Sequence, residues 1–491
     1  MISHEAADVF ERLRTGSPAL DRILGGGIPA RSVIVVAGEP GSGKTIFTLQ
    51  LLFHHARQGR RCLYFTTLSE PALKLIRYTQ LFSFFDQTLV DEQIVFADLG
   101  ATLRAQGPDQ ALIEVIERVE RLEPSLIAID SFKAIHGLLG DQARGRAFVY
   151  DLAVHMASWG ATTLLVGEYP REEIARQPEF AIADGIIRLS NELQELTAVR
   201  MMEVLKMRGA DYVTGRHFFE IGADGLTFYP RVHMPSESHD GPASPIQRVS
   251  TGVTGLDELL RGGLPRASAT IMQGGTGIGK TLLGLQFLVH GARQGEPAVF
   301  FTLEETLGQL RTTAQTFGWD LSTLEAQGLL VLSHTPPVEL SADRFLDEVQ
   351  RQVASLGARR VVLDSLNSLS VGVPSERRVR ELVYALTKHL HALGSTLLMS
   401  LEIAELLGAA QLSGHGVSSI ADNVLVMRYV EVAGRLERAI SVLKARGIAH
   451  STELRHLTIS SEGVAVGAPF KEFRGVLTGI PIPMADHPQA D

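Results

Sequence analysis

Ser32–Thr45 reads SVIVVAGEPGSGKT, and Ser268–Thr281 reads SATIMQGGTGIGKT. Each stretch opens with an apolar run that predicts a buried strand, and each ends in a glycine-rich turn followed by Lys-Thr. Both match G-x-x-x-x-G-K-[ST], a pattern whose backbone N–H groups surround phosphate at the start of a helix. The sequence therefore predicts two strand–loop–helix units that bind phosphate.

The two stretches belong to a longer internal repeat. Thr15–Pro29 (TGSPALDRILGGGIP) recurs as Thr251–Pro265 (TGVTGLDELLRGGLP), at the same spacing as the phosphate loops. A repeat on this scale indicates a duplicated domain with small loop insertions. We predict a first domain at 1–232, a Pro-, Ser- and Gly-rich linker at 233–247, a second domain at 248–475 and a short tail at 476–491.

Each half alternates short apolar runs with helical patterns, which is typical of an α/β domain with a mostly parallel sheet flanked by helices. Helices are predicted over Thr45–Arg57 and Thr281–Arg293, where apolar residues recur at three- and four-residue steps. The predicted strands are Ser32–Ala37, Cys62–Thr67, Leu126–Ile129, Thr162–Val166, Ala269–Gln273, Ala298–Leu303, Arg360–Leu363 and Thr396–Ser400.

Composition narrows the class of protein. Of the 491 residues, 45% are hydrophobic and 21% are charged, which indicates globular domains. No apolar run approaches the length of a membrane span, and Met1–Thr15 lacks the apolar segment of a signal peptide. The net charge of −9 argues against a uniformly basic nucleic-acid binder. We therefore expect a soluble, cytoplasmic protein.

Metal-binding patterns of cysteine and histidine are missing from the sequence. A single cysteine, Cys62, excludes an internal disulfide and a cysteine-based zinc site. The pairs His54/His55 and His389/His391 do not have the spacing of metal ligands on one helix face. We expect these histidines at the surface.

The two loops predict which residues contact ATP. Lys44 and Lys280 would reach the β- and γ-phosphates, and the hydroxyls of Thr45 and Thr281 would bind Mg²⁺. The predicted ATP-binding residues are Gly38, Gly41, Ser42, Gly43, Lys44 and Thr45 in the first domain and Gly274, Thr276, Gly277, Ile278, Gly279, Lys280 and Thr281 in the second.

A carboxylate ends a second buried run in each half. Asp130 closes LIAID, and Asp364 closes RVVLD. An acid at the carboxyl end of a neighbouring strand is placed to hold Mg²⁺, directly or through water. The alternative is a helix N-cap or a loop acid. Recurrence beside both phosphate loops favours the metal-binding role for Asp130 and Asp364.

The two copies differ after their second strand. Domain 2 has Glu304-Glu305 there, whereas domain 1 has Ser69-Glu70. A carboxylate at this point is placed to polarise an attacking water or to deprotonate a hydroxyl acceptor. The alternative is an acid that caps a helix. Glu70, Glu304 and Glu305 are the candidate catalytic acids.

Together these motifs resemble those of KaiC, a family of two-domain clock ATPases in the RecA-like superfamily, over about residues 12–480. The resemblance implies tandem RecA-like domains, ATP and Mg²⁺ as cofactors, and a double-ring homohexamer with ATP between neighbouring subunits. Further matching segments are Phe317–Leu321 (FGWDL), Tyr429–Glu431 (YVE), Leu205–Gly209 (LKMRG) and Leu443–Gly447 (LKARG).

The resemblance also implies that Lys206/Arg208 and Lys444/Arg446 act on the γ-phosphate held by a neighbouring subunit. Alternate residues of a strand share a face, so both cations of a pair can approach one anion. Such cations stabilise the charge on a transferred phosphoryl group. The alternative is a basic strand edge that discourages aggregation.

In this family the second domain is a serine/threonine kinase that phosphorylates itself on adjacent hydroxyl residues. The matching pair here is Ser418 and Ser419, whereas the aligned residues of the first domain are Phe180 and Ala181. The resemblance therefore implies phosphate transfer to Ser419 or Ser418 of the next subunit. The alternative is that these serines only satisfy a turn or a cap.

Two departures from the family pattern change the expectations. The first domain has Ser69 where the family has a glutamate, so we expect it to bind ATP, hold the ring together and turn over slowly. In domain 2, Glu304 would be the base and Glu305 its support. The chain ends before most of the family's regulatory tail, so we expect no regulation by KaiA. The candidate partners are a KaiB-like protein or response-regulator and histidine-kinase proteins.

Two other functions compete with this interpretation. One is a DNA-dependent ATPase, in which Arg377, Arg378 and Arg380 line a channel. The neighbouring Val379 and Leu382 instead predict that the arginines form the solvated face of an amphipathic helix. The other is a nucleotide-switched scaffold without phosphotransfer, a function that Ser69 in place of an acid would fit.

Overall fold

The computed structural model describes residues 11–68, 71–138, 142–174, 176–194, 197–231, 246–373, 375–403, 417–432, 434–470, 473–474 and 482–483. The chain divides into two compact units, Met1–His233 and Met234–Asp491, each of which has its own sheet and core. Within the ranges above, no helix is both long and apolar enough to cross a membrane.

The first unit is built on a nine-stranded sheet with the order β11-β10-β9-β8-β3-β7-β6-β4-β5. Its strands are β1 Arg12–Leu13, β2 Ile28–Pro29, β3 Val33–Gly38, β4 Cys62–Thr66, β5 Ile94–Asp98, β6 Leu126–Asp130, β7 Thr162–Glu168, β8 Gly185–Gln194, β9 Thr197–Met207, β10 Arg216–Gly222 and β11 Gly225–Tyr229. Its helices are α1 Pro18–Ile23, α2 Lys44–Ala56, α3 Ala72–Thr79, α4 Gly100–Ala105, α5 Pro108–Leu122, α6 Phe132–Leu138, α7 Gln142–Ser158 and α8 Pro178–Ile182, with a 3-10 turn at Gln87–Leu89.

The second unit repeats this sheet in the order β22-β21-β20-β19-β14-β18-β17-β15-β16. Its strands are β12 Arg248–Val249, β13 Leu264–Pro265, β14 Ala269–Gly274, β15 Ala298–Thr302, β16 Leu330–His334, β17 Arg360–Asp364, β18 Thr396–Glu402, β19 Asn423–Val432, β20 Arg435–Ala445, β21 Arg455–Ser460, β22 Gly463–Pro469, β23 Phe473–Arg474 and β24 Ile482–Pro483. Its helices are α9 Leu256–Leu259, α10 Lys280–Arg293, α11 Leu307–Thr316, α12 Leu321–Ala326, α13 Ala342–Leu356, α14 Leu366–Gly372 and α15 Glu376–Ala392, with 3-10 turns at Pro337–Glu339 and Val417–Ser419.

Equivalent strands occupy equivalent places in the two sheets. The strand that leads into each phosphate loop, β3 or β14, lies inside the parallel part, between β7 and β8 or between β18 and β19. An antiparallel hairpin then extends each sheet, β8–β9 in the first unit and β19–β20 in the second. The predicted α/β class, with mostly parallel sheets flanked by helices, is confirmed.

Both faces of the central strand are buried. In β3, Ile34 and Val36 pack in the cluster that includes Phe47 and Leu51 of α2, whereas Val35 and Ala37 pack in the cluster on the other face. Alternate residues of a strand point to opposite faces, so a strand covered on both sides is apolar throughout. This is why the run before each phosphate loop is so easily recognised in the sequence.

The predicted strands and helices are all present, with ends shifted by at most two residues. The edge strands β5 and β16 are not among the predicted strands, and only the Lys-Arg segments of the antiparallel strands were treated as strands. Charged residues interrupt the apolar pattern of the antiparallel strands, as Arg435, Glu437, Arg438 and Lys444 do in β20. Their pattern is therefore not the continuous apolar run used to identify the parallel strands.

Candidate active sites

Each phosphate loop leaves the carboxyl end of the central strand and leads directly into a helix. Gly43 and Gly279, which immediately precede α2 and α10, have left-handed φ values of 95° and 110°. Such φ values favour glycine because side chains are strained there. At Gly38 a Cβ would lie 2.0 Å from the Leu189 carbonyl oxygen. The glycines at the two ends of the pattern are thus required by the backbone of the loop.

The other predicted loop residues fall into two groups. Gly41 and Gly277 also have positive φ, 74° and 72°, and form the outer turn of each loop. Ser42 and Ile278 are fully buried beneath the loops, so their side chains support the turn from inside the domain. Thr276, in the outer part of the domain 2 loop, is exposed.

The two loop lysines are buried against carbonyl oxygens of their own loops. Lys44 Nζ donates to the Glu39 carbonyl oxygen at 2.8 Å, and Lys280 Nζ donates to those of Gly274 and Gly275 at 2.9 Å each. Burial lowers the pKa of both ammonium groups, while neighbouring carboxylates oppose that effect. A partly desolvated cation beside a loop of this shape is placed to bind an anion such as phosphate.

The predicted magnesium ligands are in direct contact in both domains. Thr45 Oγ1 donates to Asp130 Oδ2 at 2.8 Å, and Thr281 Oγ1 donates to Asp364 Oδ2 at 2.7 Å. Mg²⁺ prefers oxygen ligands and retains several waters, so one hydroxyl and one carboxylate beside a phosphate site fit this ion. Burial raises the pKa of Asp364, while the hydrogen bonds from Ser400 and Thr281 oppose that rise.

A cavity of about 990 Å³ lies over the phosphate loop of domain 1. Its lining includes Lys44, Thr45 and Asp130, together with residues that the sequence analysis did not select. These unselected charged residues are Glu39, Lys133, Glu168 and Arg200. Arg200 lies on β9, so only the order of strands in the sheet could have placed it near the loop. The size suits a nucleotide or another cofactor.

In domain 2 the predicted catalytic acids lie at the same edge of the sheet as the loop. Glu304 Oε1 accepts hydrogen bonds from the hydroxyls of Ser365 and Ser368, the second at 2.6 Å. Ser365 follows Asp364, so Glu304 is held beside the proposed metal ligands. Burial, with added repulsion from Asp364 and Glu304, raises the pKa of the Glu305 carboxyl.

The counterparts of these acids in domain 1, Ser69 and Glu70, lie outside the described residues. The residues aligned with the hydroxyl partners of Glu304 also differ between the two domains. Ala134 stands where domain 2 has Ser368, so one of the two hydroxyls that bind Glu304 has no equivalent. Domain 1 therefore lacks part of the arrangement that fixes the acid in domain 2.

A further acid, Glu402, joins the domain 2 site and was not predicted. Thr276 Oγ1 donates to Glu402 Oε1 at 2.6 Å, and Lys280 Nζ lies 3.9 Å from Oε2. Asn367 fixes the Glu402 backbone in both directions, with its Nδ2 donating to the carbonyl oxygen and its Oδ1 accepting from the N–H. The sequence signal is an acid at the end of the strand beside β14, a position that Glu168 occupies in domain 1.

Domain 1 has an ion pair at its loop that domain 2 lacks. Arg188 on β8 is 5% exposed, and its Nη2 lies 2.8 Å from Glu39 Oε1 of the loop. Its Nη1 lies 3.9 Å from Glu203. Gly275 and Val426 occupy the positions of Glu39 and Arg188 in domain 2. The domain 1 loop thus carries an extra negative charge and its own neutralising cation.

Lys444 and Arg446 contact the segment that contains the predicted phosphoacceptors. Lys444 Nζ donates to the carbonyl oxygens of Ser418 at 3.2 Å and Ala421 at 2.6 Å. Arg446 Nη2 donates to the carbonyl oxygen of Ser419 at 3.1 Å. Ser418 is half-buried and Ser419 is exposed. The structure therefore brings the predicted cations against the backbone of the segment that carries the predicted hydroxyls.

The matching cluster in domain 1 has different contacts. Arg208 Nη1 lies 3.3 Å from Asp184 Oδ1, and burial lowers the pKa of Lys206, assisted by Arg208. Phe180, at the first acceptor position, is 6% exposed and packs in the core. Domain 1 retains the two cations but has no hydroxyl at the two positions aligned with Ser418 and Ser419.

Other predictions of the sequence analysis can be located as well. Arg377, Arg378 and Arg380 lie on α15 and pair with acids, namely Glu381, Asp343 and Glu376. Those charges are therefore already paired within this chain.

His55 was expected at the surface, but this was wrong: the residue is 1% exposed on the inner face of α2. No group of three or more His, Cys, Asp or Glu with metal-binding geometry occurs in the described ranges.

Comparison with known proteins agrees with the duplication and the site geometry. The sequence model of the ATPase family described as KaiC matches twice, at residues 13–233 and 249–471. The circadian clock oscillator protein KaiC of Picosynechococcus sp. is 30% identical, with 97% of this chain and 93% of that protein covered. The circadian clock protein KaiC3 of Synechocystis sp. is 31% identical, with 98% and 96% covered.

A third relative, the circadian clock oscillator protein KaiC of Thermostichus vulcanus, is 30% identical over 98% of this chain and 93% of its own length. These matches extend over both units and include both phosphate loops. Each domain also has the sheet and the loop–helix junction described above. The chain therefore belongs to the KaiC family of ATPases.

Proposed function

We propose that this protein hydrolyses ATP and phosphorylates itself in its second domain, as a timing or signalling switch. The relatives are named as circadian clock proteins, and that is the source of the timing role. The observation that carries the proposal is the cluster of Lys444 and Arg446 with Ser418 and Ser419. It combines two cations suited to a γ-phosphate with two hydroxyls suited to receive it.

The position of this cluster in the sheet supports transfer between subunits. Asp422, just after the serines, contacts Ala269 at the amino end of β14: its N–H donates to the Ala269 carbonyl oxygen at 2.9 Å. The domain's own phosphate loop leaves the carboxyl end of β14. Six residues of strand separate these two edges, which corresponds to roughly 17 Å. A serine at one edge cannot attack a phosphate bound at the other, so the phosphate must come from another site.

The same reasoning applies to the trans cations. In domain 1 Lys206 pairs with Ile186 on β8, and Gly185 pairs with Ile34 near the start of β3. Each Lys-Arg pair therefore lies at the amino edge, away from the loop of its own domain. An interface that presents one edge of a subunit to the opposite edge of the next is heterologous, and it forms a ring when the rotation between neighbours closes. We infer that each domain forms such a ring, a homohexamer by family resemblance.

Phosphotransfer in domain 2 would use groups from two subunits. The Oγ of Ser419 or Ser418 attacks the γ-phosphorus, the bond to the β–γ bridging oxygen breaks, and ADP leaves with that electron pair. Glu304 is the proposed base that takes the hydroxyl proton, and Glu305 supports it. Thr281 and Asp364 would hold Mg²⁺, which supplies charge neutralisation on the phosphates when bound. Lys280 and the incoming Lys444 and Arg446 stabilise charge on the transferred group.

Domain 1 would mainly bind ATP and hold the ring together. Thr45, Asp130 and Lys44 provide the same binding groups as in domain 2. Ser69 in place of a glutamate and Ala134 in place of Ser368 support slow turnover there. KaiB-like, response-regulator and histidine-kinase partners remain predictions from family resemblance.

Incubation with ATP labelled in the γ-phosphate tests the proposal. We expect label on wild-type chain, none on Ser418→Ala/Ser419→Ala, and at least about 100-fold less on Glu304→Gln, because a general base contributes a factor of this size. The double mutant should still bind ATP, which serves as its control for folding. Label that persists in the double mutant refutes the acceptor site. A wild-type chain that hydrolyses ATP without labelling refutes the kinase activity.

A further inference from the structure

We propose that Lys444 and Arg446 form a receptor for the phosphate once it is on Ser418 or Ser419 of their own chain, so that phosphorylation withdraws them from the neighbour's ATP. The proposal rests on the proposed function above and adds a regulation of the same site. The ligand is a phosphate monoester attached to the chain itself.

The contacts to the acceptor segment are the first support. The two cations already donate to carbonyl oxygens of Ser418 and Ser419. A serine side chain is short, so a phosphate on its oxygen remains close to the residue's own carbonyl group. Exchanging a carbonyl acceptor for a phosphate oxygen therefore needs only local side-chain rotation. Hydrogen bonds from ammonium or guanidinium to phosphate are charge-assisted and stronger than those to a neutral carbonyl.

The charge balance of the cluster is the second support. Lys444 and Arg446 face one acid of the same segment, Asp422, whose Oδ1 is 3.9 Å from Arg446 Nη1. Asp422 Oδ2 also accepts a hydrogen bond from the Ala269 N–H at 2.9 Å. Two cations and one anion leave a net positive charge in the cluster. Burial, assisted by repulsion from Arg446, lowers the pKa of Lys444, and a nearby phosphate would relieve this repulsion.

Domain 1 provides a comparison within the chain. Its arginine, Arg208, is 3.3 Å from Asp184, closer than Arg446 is to Asp422. In domain 2 the arginine instead donates to the segment with the serines. Only the domain that has hydroxyls directs its arginine to their backbone, as a phosphate receptor requires.

The consequence is a self-limiting reaction. The same two cations cannot neutralise a covalent phosphate on their own chain and the γ-phosphate of the neighbour at once. Because cations supplied in trans contribute strongly to phosphoryl transfer, their loss slows the neighbouring site. Phosphorylation of one subunit would therefore lower ATP turnover in the site that it faces.

The test places phosphoserine at 418 or 419 by genetic encoding, so that the kinase activity is not needed to make the sample. The ³¹P resonance is followed against pH in the folded full-length chain and in the same chain in denaturant. We expect the second pKa of the phosphate to fall by about one unit or more on folding, because opposite charges nearby favour the dianion. Phosphoserine at Ser355, an exposed residue on α13, is the control and should show no such fall.

Variants of Lys444 and Arg446 test whether these two cations lower the phosphate pKa or whether folding does so in general. Lys444→Met/Arg446→Met should restore the phosphate pKa to its value in denaturant, and Lys444→Arg should keep it low. Turnover of ATP in domain 2 should fall at least about tenfold in the phosphoserine chain, since cations supplied in trans contribute far more than this. A phosphate that titrates alike in folded and denatured chain overturns the proposal, even if the wild-type protein labels itself. If the wild-type chain does not label itself, a lowered phosphate pKa still supports the receptor.

Discussion

The two domains share one phosphate-binding frame but differ in the groups around it. In both, a glycine-rich loop precedes a helix, a lysine is buried in the loop, and a threonine contacts an aspartate. Domain 2 adds Glu304, held by two hydroxyls, and a pair of serines at its opposite edge. Domain 1 has an ion pair in its loop instead. The phosphate loop thus depends on a backbone shape kept in both copies, whereas the proposed transfer would depend on a few side chains that are present in one.

The largest expected difference is between the two loop lysines. Lys280→Met should abolish labelling of the serines, by about 100-fold or more, because it removes a cation from the transferred phosphate. Lys44→Met should instead break up the ring, because domain 1 is proposed to hold it together through ATP. Native mass spectrometry with ATP measures assembly, and the γ-labelled phosphate measures transfer. A Lys44→Met protein that assembles like wild type contradicts the division of roles.

Giving domain 1 the acid that it lacks should sharpen the comparison. Ser69→Glu is expected to raise ATP turnover in domain 1 at least about tenfold, because a positioned base typically contributes 10²–10⁴ and its support is incomplete here. Turnover is measured in a Lys280→Met background, where domain 2 is silent. Ser69→Gln is the matched control and should leave turnover unchanged. An equal gain in both variants would show that the charge is irrelevant.

The ion pair in the domain 1 loop predicts that ATP affinity lost on removing Arg188 returns when the charge of Glu39 is removed as well. Arg188→Met should weaken ATP binding in domain 1 about tenfold, because it removes the cation paired with Glu39 and leaves that negative charge beside the phosphates. Adding Glu39→Gln should restore affinity to within about threefold, which loss of packing alone would not permit. Binding of a fluorescent ATP analogue in the Lys280→Met background gives the affinities.

Domain 2 offers the reverse experiment. Gly275→Glu should weaken ATP binding there, and Val426→Arg should recover part of the loss. If Gly275→Glu binds ATP as well as wild type, then the extra loop charge does not need a neutralising partner.

The last expected effect is a dependence of folding stability on pH, and it concerns His55. Burial lowers its pKa from 6.5 to about 4, whereas Gly291 takes its place in domain 2. A base that is held neutral in the folded state stabilises the fold above pH 6.5 and loses this contribution as the pH falls toward 4, by up to about 3 kcal/mol. In thermal unfolding from pH 7 to pH 4, the midpoint of wild type should therefore fall relative to that of His55→Leu, which has no group titrating at this position. Midpoints that differ equally throughout this range would contradict the assignment.

Much of the fold followed from local patterns in the sequence. The parallel strands are buried on both faces, so they read as continuous apolar runs, and the phosphate loops have fixed spacing. The antiparallel strands β9 and β20 were not predicted over their full length because charged residues interrupt their apolar pattern. His55 was misjudged for a related reason: its position on α2 faces the core, but its polar ring suggested solvent.

The candidate sites were predictable only where residues belong to a motif. Lys280, Thr281 and Asp364 were identified in this way, and they lie together. Glu402 and Arg188 come from strands far away in sequence, and only the sheet order places them at the loops. The acceptor cluster required both the sequence and the structure. The family pattern in the sequence suggested the serines, and the strand pairing in the structure supports a phosphate donor on another subunit.

Mixed rings test the central claim, transfer between subunits, most directly. A Glu304→Gln chain with intact serines is combined with a Ser418→Ala/Ser419→Ala chain that retains Glu304, and one of them carries a size tag. With γ-labelled ATP, we predict label on the Glu304→Gln chain in the mixture and on neither chain alone. Absence of label in assembled mixed rings, under conditions where wild type is labelled, would contradict transfer between subunits.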